Sequence, residues 1–214
     1  MAILGYLLVL LGGVCAVLYA IKYCWRDPSL AKSLAKTGST LALAVAGGVL
    51  GAPVLIFVGL AFGALGDYAL SRPGERAFLA GMAAFATGHL AYAAVFLVHG
   101  GGDVPFGSAL ALLALAISTE FWLAPRTGTL RWPVRGYVVV ISLMGFAALT
   151  LDPSQYGVAL AGAGLFVLSD LLLATEIFVV AASGPRRVLS HLLWCAYWAG
   201  QGLILWGMLP DQTG

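Results

Sequence analysis

Apolar stretches of about twenty residues recur along this chain from one end to the other, separated by short polar or Pro/Gly breaks. A helix rises about 1.5 Å per residue, so roughly 20 apolar residues cross the ~30 Å hydrocarbon core of a bilayer. Eight stretches meet that description, at approximately 2–21, 37–52, 53–71, 77–98, 106–124, 133–150, 156–183 and 187–208. Gly47-Gly48 and Gly51-Ala52-Pro53 place a tight hairpin between the second and third, where seven spans is the competing count. A soluble globule is excluded, because with 61% hydrophobic and 9% charged residues the chain cannot cover its own surface with polar groups. The expected fold is all-α: one integral membrane domain over residues 1–214, a bundle of eight transmembrane helices.

The basic residues orient that bundle. Lys22, Arg26, Lys32 and Lys36 lie in or beside the first loop, Arg72 and Arg76 in the third, Arg126, Arg131 and Arg135 in the fifth, and Arg186 and Arg187 in the seventh. The even loops and both termini carry none. By the positive-inside rule the odd loops are expected in the cytoplasm and both ends outside, as in a bacterial inner membrane. The first helix has no basic segment before it and reads as a retained anchor rather than a cleaved signal. Cys15, Cys24 and Cys195 have neither metal-type nor disulfide-framework spacing and read as buried structural thiols. Membrane lipid is the expected surrounding partner, and no nucleotide-binding loop or nucleic-acid surface is visible. A homo-oligomer is compatible with the sequence, but no feature argues for one.

Two carboxyl groups stand out against this background. Asp67, in Leu65-Gly66-Asp67-Tyr68, and Asp170, in Leu168-Ser169-Asp170-Leu171, sit deep in apolar runs that contain no lysine or arginine. Neither has an evident cation partner. An ionised carboxylate is costly in hydrocarbon and tends to face a bundle interior or wet cavity, so both are candidate functional groups. Each falls fourteen residues after the expected start of its helix, about 21 Å by helical rise, so the two can share one level. On the fourth helix His89 shares a face with Phe85, Tyr92 and Phe96, a stripe suited to lining a pocket. Gln201 lies at similar depth on the eighth. Interhelical hydrogen bonding is the simpler reading of His89 and Gln201, and an interfacial position that of Glu120 and Glu176. The three histidines do not converge on one level, so neither a metal centre nor another cofactor is expected. Ser169 is a weak nucleophile candidate, and no Gly-x-Ser-x-Gly elbow occurs.

The segment Gly63-Ala64-Leu65-Gly66-Asp67-Tyr68-Ala69-Leu70, followed by Phe78 to Tyr92 with Gly88-His89-Leu90-Ala91-Tyr92 at its end, resembles the central signature of the YhhN/TMEM86 membrane family, the lysoplasmalogenases. Arg135-Gly136-Tyr137 leading to Met144 resembles that family's sixth helix, Gly164 to Asp170 its seventh, and Tyr197-Trp198-Ala199-Gly200-Gln201 its eighth. The family often has Lys-Pro where this chain has Lys36-Thr37, a departure that leaves a head-group role for Lys36 open. It implies hydrolysis of the vinyl-ether bond of a lysophospholipid, giving a fatty aldehyde and glycerophosphoethanolamine or glycerophosphocholine. It also implies Asp67 and Asp170 as the catalytic pair, sharing a proton between them. His89, Tyr92, Tyr137 and Ser169 would then orient a carboxyl or water, Gln201 would hold the glycerol or ether oxygen, and Arg72 or Arg76 would meet the phosphate.

From the residues alone, a proton-coupled transporter or lipid flippase is the competing function, since midplane acids and a histidine are equally natural proton carriers. The Asp67 and Asp170 settings recur 103 residues apart, but in helices of the same direction and without further alignment of the halves. A lipid-binding scaffold without catalysis is the third reading.

Overall fold

The computed structural model describes residues 1–181 and 183–210 and contains eight α-helices among them. They are α1 (Ala2–Leu18), α2 (Leu30–Leu50), α3 (Val54–Leu70), α4 (Glu75–His99), α5 (Phe106–Trp122), α6 (Arg131–Ala148), α7 (Pro153–Phe178) and α8 (Ser183–Gly207). A π-helical turn, Tyr19–Tyr23, extends α1. By length and hydropathy six segments are able to cross a membrane, and α3 is apolar but shorter. This is fewer than the eight full spans expected, because α3 has only 17 residues and α6 begins with Arg131, Trp132, Pro133 and Arg135.

Local chemistry sets the ends. Ser29 caps α2, its hydroxyl accepting from the Lys32 amide at 3.1 Å. The helix therefore starts two turns before residue 37, where apolarity alone placed its beginning. Gly51 ends it in the left-handed conformation, φ 80°, and Pro53 then precedes α3. Asp152 caps α7 by accepting from the Ser154 amide, with Pro153 in the first turn. Tyr156 departs from helical dihedrals, and α7 ends at Phe178, short of the expected residue 183.

Neighbouring helices pack in sequence from α1 to α4. α4 also packs against α6, and α7 against α8, while α5 lies at the periphery against α6 and buries no residue. Between α7 and α8 the backbones touch. A Cβ on Gly162 would stand 2.7 Å from the Ile204 nitrogen and 2.8 Å from the Gly200 oxygen. Such contacts supply the dispersion energy that holds helices together where lipid is as apolar as the side chains. Aromatic rings of Phe85, Tyr92 and Phe96 on α4, Phe166 on α7 and Tyr197 on α8 fill the centre.

Gly162→Ala is expected to destabilise the protein by about 1–3 kcal/mol through overpacking. Gly164→Ala, where an added Cβ meets nothing within 4 Å, is expected to be neutral or slightly stabilising. Thermal unfolding of the two variants in detergent checks the contrast.

Candidate functional site

Asp67 lies three residues before the end of α3 and is fully buried. Its Oδ2 accepts hydrogen bonds from Thr40 Oγ1 on α2 and Tyr197 OH on α8, both at 2.8 Å. The Lys36 ammonium stands 3.2 Å from Oδ1, within ion-pair range but off the angle of a good hydrogen bond. All three neighbours offer protons, so the pocket is complementary to a carboxylate anion. This corrects the expectation of no cation near Asp67. The earlier start of α2 puts Lys32, Lys36 and Thr40 at four-residue spacing on one helical face. Apolarity alone puts these lysines in or beside the first loop; the Ser29 cap is the signal that extends the helix over Lys32 and Lys36.

A one-way chain of hydrogen bonds supports Tyr197. Tyr92 OH on α4 donates to Gln201 Oε1, Gln201 Nε2 donates to Tyr197 OH at 3.2 Å, and Tyr197 donates to Asp67. Because Tyr197 has committed its proton to the carboxylate, it must accept from the amide, which fixes the amide's orientation. The chain fits because α3 presents glycines toward it. A Cβ on Gly59 would stand 2.5 Å from the Tyr92 ring, and one on Gly63 2.5 Å from Gln201 Nε2. Tyr92 and Gln201 are thus joined to Asp67 through Tyr197, and neither touches a carboxyl directly.

Asp170 has a different environment. His89, fully buried on α4, places Nε2 3.2 Å from Asp170 Oδ2, and Tyr137 OH on α6 donates to the same oxygen at 3.2 Å. His89 Nδ1 lies 2.6 Å from the Phe85 carbonyl oxygen, which can only accept, so Nδ1 carries a hydrogen. The Nε2 to Oδ2 approach is within ion-pair range but, like that of Lys36 to Asp67, off the angle of a good hydrogen bond. The Phe166 ring packs on His89 with centroids 4.5 Å apart, and Tyr137 meets it edge-on at 5.6 Å. Asp170 retains 13% exposure, and Oδ1 has no protein partner among the described residues.

A cavity of about 230 Å³ is lined by both Asp67 and Asp170, together with Lys32, Lys36, Glu176 and Ser190. It lies toward the end of the bundle where α3 and α7 finish and α2 and α8 begin. A second, almost wholly apolar cavity of about 100 Å³ runs between α4, α5, α6 and α7, past Met82, Leu112, Trp122 and Ile141. Asp170 lines both, and so does Phe85. Among the six described residues that line both, Asp170 alone is ionisable, the others being Leu70, Phe78, Phe85, Leu173 and Ile177.

The remaining candidates fall outside this arrangement or into other roles. Ser169 lines the chamber but donates its hydroxyl to the Phe166 carbonyl at 2.7 Å. The Arg72 guanidinium lies 4.6 Å above the Tyr68 ring and lines neither cavity. Glu120 pairs with Arg135 near the surface, as an interfacial residue does. Glu176 departs from the interfacial reading: it lines the chamber, its Oε1 accepts from Ser190 Oγ at 2.9 Å, and its Oε2 is buried. Cys24 also lines the chamber, and burial pushes its thiol up to about 11. It is a poor nucleophile at neutral pH.

Comparison with known proteins gives the geometry a context. The YhhN family model matches residues 30–208. "Lysoplasmalogenase TMEM86A" of Bos taurus is 33% identical over 159 residues, covering 70% of this chain and 62% of that protein. The Homo sapiens protein of the same name is 31% identical over 157 residues, with the same coverage of each chain. This chain thus spans 62% of the length of these curated relatives. No solved structure matches.

Lys36→Met is expected to cost about 3–5 kcal/mol by leaving the Asp67 charge buried and unpaired. Adding Asp67→Asn to that variant should restore much of the loss, which denaturant unfolding in detergent will measure. At pH 8 roughly one Cys24 thiol in a thousand is ionised, given its raised pKa. Cys24 should therefore alkylate with iodoacetamide far more slowly in the folded protein than after denaturation, as read by peptide mass spectrometry.

Proposed function

This chain belongs to the YhhN family, and we propose that it is a lysoplasmalogenase, hydrolysing the vinyl-ether bond of a lysophospholipid to a fatty aldehyde and a glycerophospho-head group. The observation that carries the proposal is the position of Asp170, the ionisable residue that lines both the chamber holding Lys32, Lys36, Asp67 and Glu176 and the neighbouring apolar cavity. An alkenyl lysolipid has its reactive bond at that same boundary, between a hydrocarbon chain and a glycerophosphate. The alkenyl chain occupies the apolar cavity and the head group the chamber.

In this reading the Asp170–His89 pair supplies the proton. Asp170, protonated on Oδ1 while Oδ2 accepts from Tyr137, transfers that proton to the outer alkene carbon, leaving an oxocarbenium ion at the carbon bound to oxygen. Asp67, whose neighbours favour its anionic form, stabilises the developing positive charge across the chamber. Water then adds to the cation and returns a proton to Asp170, with His89 holding or releasing it as needed. The hemiacetal collapses as its hydroxyl proton leaves and the glycerol oxygen gains one. The products are aldehyde and alcohol, with one water consumed and no net proton change. The logic resembles that of glycosidases, where one carboxyl delivers a proton and another faces a similar cation. Tyr137 orients Asp170; Tyr92 and Gln201 position Asp67 through Tyr197 rather than touching the substrate. Ser169 helps to shape the chamber wall, and Arg72 lies beyond the reacting groups.

The protein is an integral membrane protein, and the proposed topology has all eight helices within one membrane domain, with the basic loops cytoplasmic and both termini outside. In a bacterium that membrane would be the inner one. The chamber then faces the cytoplasmic leaflet.

Asp170→Asn is expected to lower aldehyde release from an alkenyl lysolipid at least about 10³-fold while its unfolding temperature stays within a few degrees of the parent; Asp67→Asn is expected to lower release similarly and, by leaving Lys36 without its partner, to lower the unfolding temperature as well. Mass spectrometry of the aldehyde formed in detergent measures this, and absence of compartments there separates hydrolysis from transport. Near-normal turnover by either variant would remove that residue from the mechanism.

A further inference from the structure

Beyond its two acids, the chamber holds one unmatched cation and one unmatched anion. Lys36 is paired with Asp67. Lys32 Nζ donates to the Arg26 carbonyl oxygen at 2.5 Å and approaches that of Cys24 at 3.5 Å, but makes no ion pair among the described residues. Glu176 likewise has no ion pair there, and its Oε2 is buried without a hydrogen-bond donor. A buried carboxylate oxygen lacking a donor is costly, and a native structure rarely leaves one without a reason. Both residues line the same cavity as the catalytic candidates, one on α2 and the other on α7.

We propose that Lys32 and Glu176 form a zwitterion-reading site that binds a phosphoethanolamine head group, phosphate toward Lys32 and primary ammonium toward Glu176 Oε2. The assignment rests on the lysoplasmalogenase reading and deepens it by naming the head group. A primary ammonium brings three N–H donors, one of which satisfies Oε2 while Ser190 continues to serve Oε1. A trimethylammonium group brings no N–H and leaves that oxygen unsatisfied. Rejection of a ligand that fails to satisfy a buried polar group is a stronger discriminator than a difference in size. Ethanolamine lysolipids are therefore preferred over choline lysolipids.

The test uses saturated alkyl-ether lysolipids, which have no vinyl ether to cleave, so binding is read independently of hydrolysis. Dissociation constants for the purified full chain are measured with ethanolamine, N-methyl-, N,N-dimethyl- and trimethyl-ammonium head groups. Affinity should fall as N–H donors are removed, by about tenfold from ethanolamine to choline. In Glu176→Gln that ratio should collapse toward one, and Lys32→Met should weaken every phosphate-bearing member. Equal affinities in the parent protein would overturn the assignment, as would an unchanged ratio in Glu176→Gln. If that variant does not fold, the methylation series on the parent protein decides alone. A preserved head-group preference without aldehyde formation from alkenyl substrates would defeat the hydrolase reading and leave this site standing.

Discussion

The ion pair between Lys36 and Asp67 organises the polar interior of this bundle. Moving two charges out of water costs several kcal/mol per ion even after relaxation, and attraction offsets that only with close geometry and further hydrogen bonds. Thr40 and Tyr197 provide those bonds, and the Tyr92–Gln201 chain holds Tyr197 in place. One carboxylate thereby ties α2, α3, α4 and α8 together. The glycines of α3 are part of the same arrangement, since larger side chains at Gly59 or Gly63 would drive out the groups that complete it.

The pairing also separates the two acids chemically. Asp67 is surrounded by proton donors and faces an ammonium, whereas Asp170 stands beside His89, accepts from Tyr137 and keeps one oxygen without a protein partner among the described residues. The sequence reading placed one shared proton between the two aspartates. The geometry instead gives each its own partner, which supports a division of labour: one group poised to give a proton and the other to remain negative. It also explains why the unmatched charges of Lys32 and Glu176 stand out, because Lys36 is already committed.

How much of this was legible depended on the length of pattern each feature left in the chain. The stripe Phe85, His89, Tyr92, Phe96 was visible because four side chains on one helix repeat at helical spacing, and all four are buried. Asp67 and Asp170 were conspicuous because charge is expensive in an apolar run. Lys36 was misread because hydropathy marks where a helix becomes greasy, not where its hydrogen bonds begin, and the Ser29 cap lies eight residues earlier than the expected start. Glu176 looked interfacial for a similar reason. Distance from the end of an apolar run says nothing about which way a side chain turns.

The sequence by itself determined an all-helical membrane protein, its family resemblance and the helices carrying its acids, because apolar length, periodicity and costly charge are local properties that survive without coordinates. Tertiary structure decided which cation meets which carboxylate, that Gln201 braces Tyr197 rather than lining the chamber, and that Asp170 borders two cavities, one of which gathers the charged residues. Those are relations between residues as far apart as Asp67 and Tyr197, and they arise only when helices dock, through contacts that no single helix encodes.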